Sequence, residues 1–116
     1  MNLCTYLERT ARTHPDRVAV VDPSGREWTY RRLDDGSSRI AGFLAARGVA
    51  PGDRVGVIAP KSAEVVATLF GIMKCGAAYV PADYTAPATR NRTLLSDWGP
   101  NANAAALNNG AVVFDF

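Results

Sequence analysis

The sequence predicts an α/β fold, a β-hairpin plus a mostly parallel sheet flanked by helices, and three observations carry that prediction. Strand, helix and strand from Arg54 to Pro81 make a complete βαβ unit, which joins parallel neighbours of one sheet through a right-handed crossover. Asp22-Pro23-Ser24-Gly25 sets Asp, Pro and Gly at the first, second and fourth positions of a type I turn between two short arms. The length of 116 residues, 47% of them apolar and 21% charged, suits one globular domain that buries roughly 65% of its unfolded surface.

Taken in order, Asn2 can cap a first helix in which Leu3, Tyr6, Leu7 and Thr10 recur at helical spacing, and Pro15 should end it near Thr13 by disfavouring helical geometry at His14. Arg17 to Val21 and Arg26 to Trp28 read as the arms of the hairpin. Thr29 is the expected N-cap of a long helix from Tyr30 to about Arg47, with Tyr30, Leu33, Ile40, Phe43 and Leu44 as its apolar face. Gly36 within it costs about 1 kcal/mol relative to Ala and should mark a close packing point or a weak spot. Gly48 stops that helix, and Ala50-Pro51-Gly52-Asp53 turns into a strand from Arg54 to Ala59, apolar enough to be covered on both faces. Ser62 caps the next helix, Ala63 to Lys74, for which Val65, Val66, Leu69, Phe70 and Met73 form the expected buried side. Gly76 stops it, a short apolar strand follows, and Pro81 terminates that strand and delivers Asp83 to its carboxyl end. A further helix from Ala88 to about Asp97, a loop-like stretch from Gly99 to Gly110 and a final strand from Ala111 to Phe116 complete the expectation, with no internal repeat and no second domain.

Little in the chain carries chemistry. The net charge is +2, from 13 basic and 11 acidic residues interspersed along the sequence, so no patch argues for nucleic acid or an anionic membrane. No apolar run reaches the roughly 18 residues of a membrane span, and Glu8 and Arg9 interrupt where a signal peptide would be apolar, so a cytoplasmic location is expected. Cys4 and Cys75 lie far apart without the neighbours of a metal or redox motif, which makes two reduced thiols the expectation. No Walker-type or Gly-x-Gly-x-x-Gly phosphate loop is present, nor any metal-ligand spacing, and neither catalytic nor cofactor-binding nor metal residues are assigned. His14 reads as a solvated loop residue, and Asp34-Asp35 as a solvated face, since adjacent helical residues diverge by about 100°. Asp83, at the carboxyl end of a strand, is the best lone functional candidate, although a turn-capping role is the simpler account.

The run Lys74-Cys75-Gly76-Ala77-Ala78-Tyr79-Val80-Pro81-Ala82-Asp83 closely resembles the second core motif of the amino-acid-adenylation domains of nonribosomal peptide synthetases, within the adenylate-forming superfamily. Trp28-Thr29-Tyr30-Arg31-Arg32-Leu33 resembles that family's first core motif, Leu-Thr-Tyr-x-Glu-Leu, in the right order and at a plausible distance. Similarity extends from about Tyr6 to Asp97 and fades from Gly99, so that residues 1–116 read as the N-terminal part of an adenylation-domain core with a divergent segment at 99–116. Arg32 stands where the motif has Glu, Ala82 replaces a larger aliphatic residue, and after Asp83 only Pro87 and Arg90 of the usual continuation are kept.

The resemblance implies a partial N-terminal subdomain of an adenylate-forming enzyme. Thr29, Tyr30, Leu33, Lys74, Gly76, Ala77, Tyr79, Pro81 and Asp83 would be structural motif residues that position helices and strands. The intact family activates an amino acid with ATP and magnesium to an aminoacyl adenylate, releases pyrophosphate and loads a peptidyl carrier protein. Its ATP loop, substrate pocket and catalytic Lys would all lie beyond this stretch, so no cofactor is expected in this chain. The implied partners are the remainder of the enzyme and a carrier protein, with no nucleic acid and no membrane. Met1, directly before the first helix, implies that no condensation domain precedes the chain, or else marks a cut boundary. The alternative is a self-standing, truncated adenylation-like protein with a binding, scaffolding or regulatory role. The apolar final strand suggests a homo-oligomer, formed by exchange of that strand between copies.

Overall fold

The computed structural model describes residues 3–58, 62–82 and 112–115, with side chains for all of these except 58, 81, 82 and 112–115. The elements are α1 (Leu3–Thr13), β1 (Val18–Val21), β2 (Glu27–Thr29), α2 (Tyr30–Ala46), β3 (Arg54–Ile58), α3 (Ala63–Lys74), β4 (Ala78–Ala82) and β5 (Val112–Asp115). β1 and β2 form an antiparallel hairpin, and β3 lies between β4 and β5 with both neighbours parallel to it. The expected mixture of hairpin and parallel sheet is therefore present. The expected helix at 88–97, the loop at 99–110 and Asp83 lie outside the described residues.

Local chemistry sets the boundaries. Thr29 and Ser62 both adopt extended backbone and accept a hydrogen bond from the N–H three residues on, Arg32 at 3.2 Å and Val65 at 3.2 Å. The hairpin turn closes with the Gly25 N–H donating to the Asp22 carbonyl at 2.9 Å. Ala50 and Asp53 bond each other twice, the Ala50 N–H to the Asp53 carboxylate at 2.6 Å and the Asp53 N–H to the Ala50 carbonyl at 3.0 Å, which fixes the entry to β3. Pro81 does not terminate its strand as expected: β4 runs through it to Ala82, in register with Val57. An edge strand has one row of unpaired N–H groups, so the N–H that proline lacks is not missed there.

Two adjoining cores result. Leu44, Val49, Val55, Val57, Ile72 and Ala77 are buried between the helices and the sheet, and Leu7, Trp28, Leu33, Ala63 and Ala67 between α1, the hairpin, α2 and α3. Full burial of a side chain such as Leu44 or Ile72 contributes about 1.5–3 kcal/mol. Val55, Gly56 and Val57 are all buried, as expected for a central strand covered on both faces. Buried Ser37 and Thr68 donate to the Asp34 and Glu64 carbonyls of their own helices, both at 2.8 Å, so neither hydroxyl is left unsatisfied.

Three expected faces need correction. The most deeply buried residues of α3 are Ala63, Ala67, Thr68, Gly71 and Ile72, whereas Val65, Val66, Leu69 and Phe70, expected as its buried side, pack against the two cores while only partly covered, as Met73 is. Small residues let α2 approach closely, and the close approach decides which face is covered. In α1, Leu7 is buried with Cys4, whereas Leu3 and Tyr6 are exposed. In α2, Phe43 is largely exposed and carries the Arg47 guanidinium 3.5 Å above its ring. β5 pairs with β3 from Val55↔Val112 to Ile58↔Asp115, so the final strand finds a partner within its own chain and exchange between copies is not needed to supply one.

Candidate functional site

Of the residues singled out by sequence, the structure describes all but Asp83, and it gives most of them a structural task. Thr29 caps α2, Leu33 is buried beside Leu7 and Trp28, and Tyr30 packs against that cluster. Ala77 belongs to the other core. Gly76 takes φ +73°, and its carbonyl accepts the Gly52 N–H at 3.0 Å, which ties the loop before β3 to the loop before β4. Tyr79 stands largely exposed on edge strand β4, in register with Val55, and Pro81 lies opposite Val57 in the same pairing.

Lys74 joins the two motif regions. Its side chain is 10% exposed, and its ammonium donates to the Asp34 carboxylate at 2.6 Å, the Ser38 hydroxyl at 2.8 Å and the Asp34 carbonyl at 3.2 Å. All three donors of the ammonium are thereby used, and the C-terminal end of α3 is strapped to α2 one residue after Leu33. Asp34 is accordingly not the solvated residue that its place beside Asp35 suggested. No sequence spacing announces a pair 40 positions apart; only the absence of another partner for a Lys at an apolar helix end hints at it.

The residue that sequence reasoning undervalued is Asp22. Its side chain is 3% exposed, and it accepts hydrogen bonds from the Ser24 hydroxyl, the Ser24 N–H at 3.0 Å, the Arg26 N–H at 3.1 Å and the Arg26 Nε at 3.1 Å. Arg26 reaches on to Glu64 at 2.7 Å, so the hairpin turn is fastened to the first turn of α3. The Ser24 hydroxyl, with the Arg26 backbone and guanidinium, holds the Asp22 carboxyl down to about 2. A carboxyl depressed from its ordinary value near 4 stabilises the fold fully above that value and loses the contribution as pH falls through about 2. Asp22→Asn is therefore expected to melt below the parent at pH 5 and above, with the gap closing between about pH 4 and about pH 2; a gap independent of pH would refute the ionised hub.

Trp28 lies under the Arg32 guanidinium, 4.3 Å from the ring centroid, with its benzo edge against Gly36. Gly36 is thus the close packing point that the sequence suggested. The departure of Arg32 from the motif's Glu has a physical counterpart, since a cation over an indole face is attracted by about 0.5–1 kcal/mol at exposed sites. Burial raises the thiol of Cys4, and burial alone raises that of Cys75, whose S–H faces the Ala41 carbonyl at 3.3 Å; both are free thiols held away from the reactive thiolate form. His14 is exposed, as expected. Among the described residues no group of three or more His, Cys, Asp or Glu is placed to hold a metal ion, and no helix is long and apolar enough to cross a membrane. Asp22 and Asp34 are both engaged by cations of the chain itself.

Comparison with known proteins agrees with this geometry. Residues 7–109 match the family described as AMP-binding enzyme. The chain is 46% identical over 86 residues to a probable non-canonical nonribosomal peptide synthetase, CymA, of Salinispora arenicola, an alignment covering 74% of this chain and 1% of that protein. It is 42% identical over 93 residues to surfactin synthase subunit 1 of Bacillus subtilis, covering 80% of this chain and 3% of the relative. Among solved structures, the nonribosomal peptide synthetase FmoA3 with α-methyl-L-serine-AMP bound superposes at a TM-score of 0.85 and 35% identity, over 98% of this chain and 14% of that one. The inhibitor-bound N-terminal domain of FACL13 from Mycobacterium tuberculosis superposes at 0.79 and 32% identity, over 97% and 26%. The chain thus spans a small fraction of the proteins it matches.

Proposed function

This chain belongs to the AMP-binding enzyme family, and on that premise we propose that it serves as the N-terminal structural portion of an amino-acid-activating core of the nonribosomal peptide synthetase type, inactive in adenylation by itself. The observation that carries the reading is the employment of the motif residues. Thr29 caps, Leu33 and Ala77 fill cores, Gly76 stops a helix, and the Lys74 ammonium is fully bonded to α2. None of them offers a free acid, base or cation to a reacting phosphate, whereas adenylation depends on preorganised groups that stabilise charge on the phosphates. Activation of an amino acid to its adenylate, with ATP and magnesium, falls in this reading to the rest of the core. A peptidyl carrier protein would take the acyl group, and the assembly would work in the cytoplasm.

The test is amino-acid-dependent exchange of pyrophosphate into ATP by the purified chain. We expect no exchange above the blank with any of the twenty amino acids and no ATP binding by calorimetry. Robust exchange that survives removal of contaminating synthetases would overturn the reading. The alternative, a self-standing module with a binding or scaffolding role, draws support from β5, which completes the sheet from within the chain. A stable monomer, with its final strand covered by β3, fits that alternative better than the first reading, in which surfaces left without their partners favour self-association, and light scattering on the pure chain separates the two.

A further inference from the structure

The charges of this chain are interspersed in sequence but not in the fold. Arg31, Arg32 and Arg39 come to one open groove of about 400 Å³ along the exposed side of α2, with Trp28 and Gly36 in its lining and Asp35 as its one acidic residue. Three cations against one carboxylate make a local excess equal to the net charge of +2 of the whole chain. Most of that excess is uncommitted. Among the described residues neither Arg32 nor Arg39 forms an ion pair. Arg31 pairs with Asp16 at 3.3 Å, but their side chains are 60% and 82% exposed, and a pair so exposed holds its members weakly. Arg32 is uncommitted without being loose, because its guanidinium stands 4.3 Å from the centroid of the Trp28 ring, and Trp28 is itself buried. A guanidinium held over a fixed ring keeps its edge donors for a ligand and loses less freedom when one binds. Where the first core motif has Leu and Glu, this chain has Trp28 and Arg32. The two departures meet in the fold, and together they turn an acidic position into a basic one beside an aromatic face.

The backbone narrows the kind of anion. The Tyr30 N–H is donated to the Arg17 carbonyl at 3.0 Å, the Arg31 N–H to the Pro15 carbonyl at 3.0 Å and the Arg32 N–H to the Thr29 hydroxyl at 3.2 Å, so the first three amides of α2 are already used and cannot close round a phosphate. What remains is guanidinium forks, which match carboxylates two bonds at a time. Arg32 and Arg39 lie two turns apart on one face, about 10 Å along the helix axis, a span that one small anion cannot bridge and the side chains of a single acidic segment can. We propose that this groove docks an acidic peptide segment of a partner protein, with carboxylates taken by Arg32 and Arg39 and a third by Arg31 in exchange for Asp16. Asp35 stands three residues from Arg32 and four from Arg39, so it competes with the partner for both. The proposal does not depend on the adenylation reading, because Trp28 and Arg32 are not the motif's own residues.

The experiment follows the fluorescence anisotropy of a fluorescein-labelled hexaglutamate peptide titrated with the full 116-residue chain. We expect saturable binding that weakens as salt is added. Arg32→Glu with Arg39→Glu should weaken it at least about tenfold, while Arg9→Glu with Arg12→Glu, an equal change of net charge on the exposed side of α1, should leave it within about twofold of the parent. Asp35→Asn should bind about threefold more tightly, because the internal competitor is gone. Asp35 is exposed and in no ion pair among the described residues, so circular dichroism should report a parent-like melt for that variant. If the double reversal in α2 unfolds the chain, the sign of the Asp35→Asn change still decides. No binding by the parent, an equal loss in the two double variants, or no tightening by Asp35→Asn would each overturn the proposal. Inorganic phosphate that displaces the peptide at equal concentration would make the groove a free-anion site, and oligothymidylate that displaces it more readily than unlabelled hexaglutamate would make it a nucleic-acid site; either outcome overturns the proposal as well.

Discussion

Gly71→Ala is expected to lower the melting temperature by about 10 °C, although alanine is the better helix former by about 1 kcal/mol. A Cβ built at Gly71 would sit 2.7 Å from Ile40 Cγ2 and 2.8 Å from both Ile40 Cβ and the Ser37 carbonyl oxygen. The carbonyl belongs to the backbone of α2 and Ser37 is wholly buried, so relief requires the two helices to part. Overpacking of this kind costs about 1–3 kcal/mol, and the upper end applies because backbone rather than a flexible side chain must move. Gly42→Ala supplies the contrast. Its Cβ would meet nothing within 4 Å, so the same exchange on the open side of α2 should stabilise by about 0.4–1 kcal/mol. Gly36→Ala falls between them, because its Cβ would approach the Trp28 ring at 3.3 Å and the ring must yield. Differential scanning calorimetry on the three variants decides the matter. A Gly71→Ala protein that melts at or above the parent would show that α2 and α3 do not cross as closely as described.

What was legible in the sequence was whatever is decided within a few residues. The caps at Thr29 and Ser62, the turn at Asp22 to Gly25 and the helix stops at Gly48 and Gly76 each rest on a short-range preference, and each stands where the pattern put it. The family was legible for the same reason, since both motifs are contiguous strings. The buried face of α3 was not. In a helix apolar on all sides the large residues draw the eye, but the signal was the small ones, Ala63, Ala67 and Gly71 at four-residue spacing, which permit a close crossing. The pairing of Lys74 with Asp34 and the reach of Arg26 to Glu64 are likewise products of the folded arrangement, spanning 40 and 38 positions. Pro81 misled because proline disrupts a central strand and is tolerated at an edge, and strand order is a property of the sheet rather than of the segment. The candidate site shows the same division: its residues could be named from the motifs, but that Leu33, Ala77 and Lys74 are consumed in packing and strapping appears only once α2 and α3 are side by side.

Gly76→Val is the other substitution with a large expected effect, a loss of about 3 kcal/mol or more and a fall in melting temperature beyond about 10 °C. Two costs add. The backbone at Gly76 holds φ +73°, a region in which any side chain is crowded by its own carbonyl at about 1–2 kcal/mol, and a β-branched one is crowded most. A Cβ there would also lie 3.2 Å from Pro51 Cβ and 3.3 Å from Pro51 Cα. The Gly52 N–H bond to the Gly76 carbonyl, with the Ala78 N–H bond to the Asp53 carbonyl at 2.8 Å, prevents the two loops from separating without releasing the starts of β3 and β4 together. The costs can be told apart. Gly48 has φ +87° with nothing within 4 Å of its would-be Cβ, so Gly48→Ala reports the backbone cost alone, and Gly76→Ala should exceed it by the crowding against Pro51. Pro51→Gly should then recover part of the Gly76→Ala loss in a double-mutant cycle, because it removes the proline ring and leaves only the backbone of residue 51 in the way. If Gly76→Ala and Gly48→Ala prove equally costly, the crowding against Pro51 is absent; if Gly76→Val melts within about a degree of the parent, the turn between α3 and β4 is not left-handed at Gly76. The second core motif would then require its glycine for something other than the fold.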